Sequence, residues 1–442
     1  MNTASSDCKK FLLSISIVAL TVLFYLFVVI SKTPDIAASF LLTIIPVVIG
    51  TVLMLTKASK SNDSASIAIC LLFNYILINA NAYQIIFNSS GYLKSTLINS
   101  AGVFVAAGSL LFYTKFLKPK VLVSKEGYKR VLIIAGCASM LMCLVLLIFG
   151  TEINGAKLWI SIGKFTIQLS EVIKFLVFVQ FALIYNSNMS VKAKMICATA
   201  CLICHSAVMP FLFELGTVVI FVLVYLITFF VHIRSRYSLI LMASAALLLA
   251  FALLMVYGLH DTTQGSTDLF SSLINKVYDR LTVSDSNQAN RAIKGIINGG
   301  LFGADLSYII DYFSMGEDFA LANLAQYLGV INMLIFIVAN AAIVYLVYLR
   351  STNEEIHNRS RYKLSFIFSS AIAVQALISI CSICGFVCGV GTPGLSPGGT
   401  QLLNYYIMSA FIVYGFLEDN ALKPARKATC IDNERTRFYN EY

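Results

Sequence analysis

The chain has 442 residues, of which 58% are hydrophobic and 12% are charged, and its formal net charge is +10. Soluble domains carry about 25% charged residues, so this composition excludes a soluble globular protein and indicates one that crosses a membrane several times. The basic excess does not call for nucleic acid as a partner, because basic loops beside anionic lipid account for it.

Apolar runs of about 20 residues, the length that a bilayer core requires, recur along the whole chain. They lie near 11–31, 36–56, 65–87, 97–117, 129–150, 170–187, 192–211, 216–232, 237–258, 319–349, 362–388 and 399–418. The sequence therefore predicts an all-α polytopic membrane protein with about twelve transmembrane helices.

Lys and Arg residues are unevenly divided between the two sets of loops that these spans define. Most of them fall on the side that also holds both termini. Because cytoplasmic loops carry the excess of basic residues, we expect the N- and C-termini to be cytoplasmic. The long segment 259–318 then lies outside.

The predicted organisation has five parts. N-terminal transmembrane helices occupy 1–128, further helices occupy 129–258, a long outer loop covers 259–318, the last helices occupy 319–418 and a charged cytoplasmic tail covers 419–442. The outer loop retains apolar stretches, so we expect short or re-entrant helices against the membrane surface rather than simple disorder.

Four segments rich in polar residues, Gly or Pro open on the predicted outer face. They are "GAKLWISIGKFTIQLSEVIK" at 155–174, "MPFLFELGT" at 209–217, the outer loop, and "CGVGTPGLSPGGTQ" at 388–401. Irregular backbone at membrane depth is tolerated where it is buried in protein or lines a wet cavity. Their convergence predicts a cavity that faces out of the cell.

Two ionisable residues, Glu171 and Lys174, continue from the first of these segments into a predicted span. They are three residues apart, so they share one face of a helix. Such residues face a cavity or pair with each other, and both interpretations stay open here. Trp159, the single tryptophan, is also explained as an interfacial anchor.

A group of cysteines lies in the predicted span 192–211, where Cys197, Cys201 and Cys204 share a helical neighbourhood with His205. The spacing would suit a metal site. Packing of a small apolar side chain between helices explains the same pattern more simply, and we favour packing.

The motifs of the outer face resemble those of the SEDS family of bacterial cell-wall proteins, the FtsW/RodA/SpoVE group. The first motif is matched by Gly155, Ala156, Trp159, Ile160, Gly163, Gln168, Ser170, Glu171 and Lys174, with Leu158 and Leu169 in place of the family's Arg and Pro. Further motifs are matched at 212–217, at Arg280, Gln288 and 299–303, at 318–319 and 328–329, and at 393–399. The motifs occur in the family's order over about 155–405.

The resemblance implies a ten-helix core, preceded here by extra N-terminal spans before Gly155, with one long outer loop. It implies a peptidoglycan glycosyltransferase that polymerises glycan strands from lipid II in division, elongation or sporulation. It also implies a class B penicillin-binding transpeptidase as partner, along with other divisome or elongasome membrane proteins. The location would be the bacterial plasma membrane, with the active face outside.

The resemblance also suggests roles for individual residues. Asp285 is our candidate for the catalytic base, with Asp279 second, because Leu281 stands at the position of the family's loop Asp and Asp285 is the acid nearest Gln288. The candidate substrate-binding residues are Arg280, Gln288, Glu214, Lys157, Trp159, Glu171, Lys174 and Ser396. A divalent cation, Mg²⁺ or Mn²⁺, is a candidate cofactor with no assigned ligands, and we expect no organic cofactor.

Two other interpretations remain open. A flippase for lipid-linked precursors would need charged cavity residues at mid-membrane on several helices, whereas the polar features here crowd the outer face. A non-catalytic family member would bind lipid II or a divisome partner, and the displaced acid favours this alternative. A polymerase would require Asp285 to reach the outer cavity between Arg280 and Glu214.

Overall fold

The computed structural model describes residues 2–60, 63–87, 92–117, 125–153, 156–163, 165–187, 189–212, 214–233, 271, 275, 286–305, 318–352, 360–384, 391–396 and 398–417. Within these residues, nine helices are long and apolar enough to cross a membrane. The protein is therefore a polytopic helical membrane protein, as predicted. The predicted span at 237–258 lies outside the described residues.

The helices follow one another through most of the described chain. They are α1 (Asn2–Lys32), α2 (Ala37–Lys60), α3 (Ser64–Phe87), α4 (Tyr92–Phe112), α5 (Lys125–Phe149), α6 (Leu169–Asn186), α7 (Val191–Val208), α8 (Leu215–Ile233), α9 (Ser286–Gly299), α10 (Ala320–Leu328), α11 (Val330–Thr352), α12 (Ser360–Ile383) and α13 (399–417). Short 3₁₀ turns at Pro34–Ile36 and Met209–Leu212 join α1 to α2 and α7 to α8.

Three helices form the centre of the bundle. The most apolar windows of α3, α6 and α12 are 61%, 67% and 67% buried, whereas those of α1 and α4 are only 22% and 17% buried. Helix α6 packs on α5 and α12, α12 packs on α8 and α11, and α11 packs on α3. The outer helices expose large apolar side chains such as Phe27, Phe104 and Ile148. This pattern fits lipid as the surrounding solvent.

A small antiparallel sheet joins α5 to α6, and the sequence analysis did not predict it. Its strands are β1 (Thr151–Ile153), β2 (Ala156–Ile162) and β3 (Phe165–Gln168), with β2 in the middle. The β-branched and aromatic residues of this segment favour strands, but interfacial segments of membrane proteins show the same composition. The all-α prediction holds for the membrane part, and the sheet is an addition to it.

The sheet marks one end of the bundle, which we call the motif end. Here α1 ends near residue 304, and α6 begins beside the start of α13. The opposite end is joined by Asp63, whose Oδ2 lies 2.5 Å from Arg350 Nη1 and accepts a hydrogen bond from Ser66 Oγ at 2.6 Å. The Arg350 guanidinium also lies 5.0 Å from the ring centroid of Phe416. The Arg350 side chain of α11 thus contacts both Asp63, just before α3, and Phe416 of α13.

The predicted span 319–349 is wrong as a single helix, because the chain breaks at Gly329 into α10 and α11. Gly329 has φ +93°, and a Cβ there would lie 2.2 Å from the Leu301 carbonyl oxygen. The break is filled by residues 299–304, which we call the Gly turn. Ala304 N donates to Gln326 O at 2.8 Å, and Val330 N donates to Gly300 O at 2.9 Å. The apolar run gives no sign of this break, because the Gly turn that packs against Gly329 lies in a different part of the chain.

Two neighbouring glycines of the Gly turn should respond differently to substitution by alanine. A Cβ at Gly299 would lie 2.1 Å from Ala325 O, whereas one at Gly300 has nothing within 4 Å but sits at φ +53°. We expect Gly299→Ala to lower the free energy of unfolding by about 3 kcal/mol through overpacking against backbone. We expect Gly300→Ala to lower it by about 1 kcal/mol through backbone strain.

Equilibrium unfolding of the two variants in the same detergent tests this difference. Equal losses, or a larger loss for Gly300→Ala, would contradict the close approach of the end of α9 to α10.

Candidate functional site

The first turns of α6 carry a buried ion pair at the motif end. Lys174 Nζ donates to Glu171 Oε1, and the two side chains are only 8% and 5% exposed. Asn404 Nδ2 of α13 donates to the Glu171 backbone oxygen at 2.5 Å. Of the two interpretations of Glu171 and Lys174, the structure shows the internal ion pair. The Glu171 backbone also joins the start of α6 to α13.

The start of α6 makes a second contact with α13 one turn earlier. The Gln168 amide, where β3 ends, donates to Thr400 Oγ1 at 3.2 Å. Two helix N-termini, those of α6 and α13, therefore lie side by side and use each other's polar groups. Amide groups at helix N-termini have no partner within their own helix, so this contact satisfies one of them.

Residues 391–396 form an irregular segment that is buried between α3 and α13. Leu395 O accepts a hydrogen bond from Gln84 Nε2 at 3.2 Å, and Gly391 O accepts one from Gln401 Nε2 at 2.9 Å. Gln84 is in turn held by Asn99, whose Nδ2 donates to Gln84 Oε1 at 2.9 Å. The candidate residue Ser396 lies here and is 2% exposed. Side-chain amides thus satisfy backbone groups that no regular element could pair.

Sequence reasoning missed Gln84 and Asn99 as residues of this site. The available signal was "NANAYQ" at 79–84, a cluster of amide side chains inside an otherwise apolar span. Polar residues within membrane helices are rare and usually face the protein interior, so this cluster marks the face of α3 that meets the irregular segment.

Glu214 caps the N-terminus of α8. Its Oε1 accepts hydrogen bonds from Thr217 N at 3.1 Å and from Thr217 Oγ1 at 2.9 Å. A carboxylate at a helix N-terminus satisfies free amides and interacts favourably with the helix dipole. The structure therefore gives Glu214 a structural function at the motif end.

Lys157 and Trp159 both lie on β2 and are half-buried. Trp159 pairs with Thr151 on one side and Gln168 on the other, and it packs against the main hydrophobic core. Strand β2 also contacts α5, α6 and the Met209–Leu212 turn. The sheet thus brings the first motif next to the loop that leads to Glu214.

The remaining predicted residues belong to the outer loop. Asp285, Asp279 and Arg280 lie outside the described residues. Gln288 lies in the first turn of α9 by its backbone, and α9 packs on α10 and α12 before it enters the Gly turn. Helix α9 is a short helix within the predicted outer loop, as expected for part of that segment.

Metal binding by the cysteine cluster of α7 finds no support. No group of three His, Cys, Asp or Glu residues within the described part of the chain could hold a metal ion. His205 Nε2 lies 2.8 Å from Ser139 Oγ, and its Nδ1 lies 2.8 Å from the Cys201 backbone oxygen. Gln180 Nε2 donates to Ser139 Oγ at 3.1 Å. His205 therefore belongs to a buried hydrogen-bonded network between α5, α6 and α7.

This geometry defines a class of protein: a polytopic membrane protein in which irregular, glycine-containing segments pack against the helices at one end of the bundle. Residues 65–414 match the model of the FtsW/RodA/SpoVE family of cell cycle proteins. The chain belongs to this family, and the resemblance seen in its motifs is confirmed.

Relatives and solved structures agree with this assignment. The chain is 25% identical over 375 residues to the probable peptidoglycan glycosyltransferase FtsW of Bacillus subtilis, covering 79% of this chain and 89% of that protein. It is 24% identical over 347 residues to the probable peptidoglycan glycosyltransferase FtsW of Enterococcus hirae, covering 74% of this chain and 84% of that one.

Two solved structures share the fold. One comes from a study of the structural coordination of polymerization and crosslinking by a peptidoglycan synthase complex. It has a TM-score of 0.60 and 16% identity, and covers 80% of this chain and 97% of its own. The rod shape determining protein RodA of Thermus thermophilus has a TM-score of 0.50 and 15% identity, and covers 80% and 96%.

The family match begins at residue 65, just inside α3. Helices α1 and α2 therefore precede the matched region, where the sequence analysis expected the extra spans.

The Glu171–Lys174 pair should behave as a coupled unit. Removal of one partner leaves an uncompensated buried charge, which costs about 3–5 kcal/mol, whereas removal of both can be nearly neutral. We expect Glu171→Gln and Lys174→Met each to lower the free energy of unfolding by about 3 kcal/mol, and the double variant to lose less than either single one.

A double-mutant cycle from unfolding in detergent measures this coupling. If the double variant loses the sum of the two single losses, the two side chains do not form the buried pair.

Proposed function

We propose that this protein is a peptidoglycan glycosyltransferase that polymerises glycan strands from lipid II. The observation that carries the proposal is the convergence of family motifs at one end of the bundle. The sheet of β1, β2 and β3, the buried pair of α6, the cap at Glu214 and the segment 391–396 occupy the same end as the Gly turn. Relatives that align over most of their length with this chain bear the name peptidoglycan glycosyltransferase.

The reaction would join the 4-hydroxyl of an acceptor sugar to the anomeric carbon of a donor, with undecaprenyl pyrophosphate as the leaving group. A carboxylate must take the hydroxyl proton, and we assign this role to Asp285. Its support is position in the sequence: it precedes α9 by one residue, and α9 leads directly into the Gly turn.

Cations must stabilise the departing pyrophosphate. We assign this role to Arg280 and Lys157, together with a divalent cation, Mg²⁺ or Mn²⁺. The described part of the chain offers no ready-made metal cluster. We propose that the pyrophosphate supplies ligands to this cation, as substrate phosphates often do for Mg²⁺.

The described charges favour a polymerase over a flippase. Glu171 pairs with Lys174 at the motif end, and Asp63 pairs with Arg350 at the opposite end. A flippase would need charged groups at mid-membrane that a polar headgroup can reach. Buried charges that are already paired cannot serve that purpose without breaking their pairs.

The distribution of Lys and Arg supports cytoplasmic termini and a motif end outside the cell. In a bacterial plasma membrane this orientation would give the protein access to lipid II in the outer leaflet. We further propose a class B penicillin-binding transpeptidase as partner, because a structural neighbour belongs to a complex that coordinates polymerization and crosslinking. Other divisome or elongasome membrane proteins would complete the assembly.

One observation favours a second candidate function, a family member that binds lipid II without polymerising it. Leu281 stands where the family's loop acid is expected, and Asp285 lies closer to Gln288. The polymerisation test below distinguishes an enzyme that polymerises lipid II from a protein that only binds it.

The test is glycan-strand formation from labelled lipid II by the purified protein, with and without Mg²⁺ or Mn²⁺ and a cognate transpeptidase. We expect Asp285→Asn to lower the polymerisation rate by about 100-fold or more, because a general base typically contributes that much. Asp279→Asn is the matched control from the same loop, and we expect it to stay within about threefold of wild type, because our assignment gives Asp279 no part in the proton transfer.

Both variants should bind lipid II and unfold at the same temperature as wild type. Polymer from Asp285→Asn and none from Asp279→Asn would move the base to Asp279. Lipid II binding without polymer from wild type under every condition would overturn the polymerase and favour the binding function.

A further inference from the structure

Helix α1 lies outside the family match, yet it contacts two parts of the motif end. Its buried residues include Val18, Tyr25 and Val29. Tyr25 and Lys32 are seven residues apart, so they lie about two turns apart on nearly the same face of the helix. This face packs on α3 and points two polar side chains at the protein rather than at lipid.

The first contact joins α1 to the Gly turn. Lys32 Nζ donates to the Ala304 backbone oxygen at 2.6 Å. The carboxylate of the next residue, Asp305, attracts the same ammonium group. Hydrogen bonds from a charged donor are about twice as strong as neutral ones, so Lys32 holds the last residue of the Gly turn firmly.

The second contact joins α1 to the beginning of α11. Tyr25 Oη donates to Asn332 Oδ1 at 2.6 Å. The same Asn332 oxygen accepts hydrogen bonds from Tyr75 Oη at 3.0 Å and from Asn79 Nδ2 at 3.1 Å. Asn332 Nδ2 donates back to Asn79 Oδ1 at 3.2 Å. This network ties α1, α3 and α11 together at membrane depth, where polar groups need partners within the protein.

These two contacts lie on opposite sides of one joint. The Gly turn and the α10–α11 break are held together by the hydrogen bonds from Ala304 N to Gln326 O and from Val330 N to Gly300 O. Lys32 contacts the Gly turn side of this joint. Tyr25 contacts the α11 side, through Asn332, three residues after Gly329. A single rigid helix therefore spans the joint.

We propose that α1 is an added positioning element of this chain, in which Lys32 fixes the Gly turn, and with it the end of α9, against the α10–α11 break. The inference rests on the proposed function in one respect: α9 follows Asp285 directly, so the position of the Gly turn sets where the catalytic segment is anchored. Lys32 touches no reacting atom in this scheme and acts only through the Gly turn.

Hydrogen–deuterium exchange of the full-length protein in detergent or nanodiscs tests the contact directly. The reporters are the amides of Gly303, Ala304 and Val330, which are all hydrogen-bonded within the joint. We expect Lys32→Met to speed their exchange about tenfold, since a hydrogen bond to a charged group is lost. Lys32→Arg should stay within about twofold of wild type, because a guanidinium can donate to the same carbonyl.

The matched control is Lys9→Met, which removes an exposed lysine from the opposite end of the same helix. It should leave these amides unchanged. Unchanged exchange in Lys32→Met, or equal acceleration in Lys9→Met, would overturn the inference. This readout does not depend on any enzymatic activity.

Polymerisation of lipid II by the same variants tests the consequence for catalysis. We expect Lys32→Met to lower kcat about fivefold with KM changed less than about twofold, because positioning acts on the transition state and not on ground-state binding. Lys32→Arg should restore kcat. Accelerated exchange with unchanged kcat would overturn the positioning role, whereas absence of polymer from wild type would overturn the proposed function instead.

Discussion

The constraint on which the motif end depends is that irregular backbone packed against the helices must find hydrogen-bond partners for its buried groups. Two irregular segments obey it in different ways. The Gly turn pairs its backbone with the backbone of the α10–α11 break. The segment 391–396 instead uses the side-chain amides of Gln84 and Gln401. The Gly turn thereby joins the end of α9 to α10 and α11, and the segment 391–396 joins α3 to α13.

Charges at this end follow a related rule. Glu171 and Lys174 are buried but neutralise each other, and Glu214 is used by the amide and hydroxyl of Thr217. These two carboxylates are thus engaged at the starts of α6 and α8. The base that we propose, Asp285, belongs instead to the outer loop, directly before α9 in the chain.

The sequence predicted the features that depend on local composition. Apolar runs located most of the described helices, and the spacing of Glu171 and Lys174 placed them on one face of a helix but left open whether they pair or face a cavity. It did not predict the break at Gly329, because the apolar run passes through it without interruption and the reason for the break, the Gly turn, is distant in sequence. Nor did it predict the use of Gln84, whose partner is a carbonyl more than 300 residues away.

The same long separations bear on how the chain is made. Tyr25 and its acceptor Asn332 are 307 residues apart, and Asp63 and Arg350 are 287 apart. At synthesis rates of about 5–20 residues per second, Tyr25 is made roughly 15–60 s before Asn332. Asn79 Nδ2 donates to Tyr75 Oη, a contact between residues four apart. Helix α3 could form this contact alone, so the two side chains could satisfy each other in part before α11 is present.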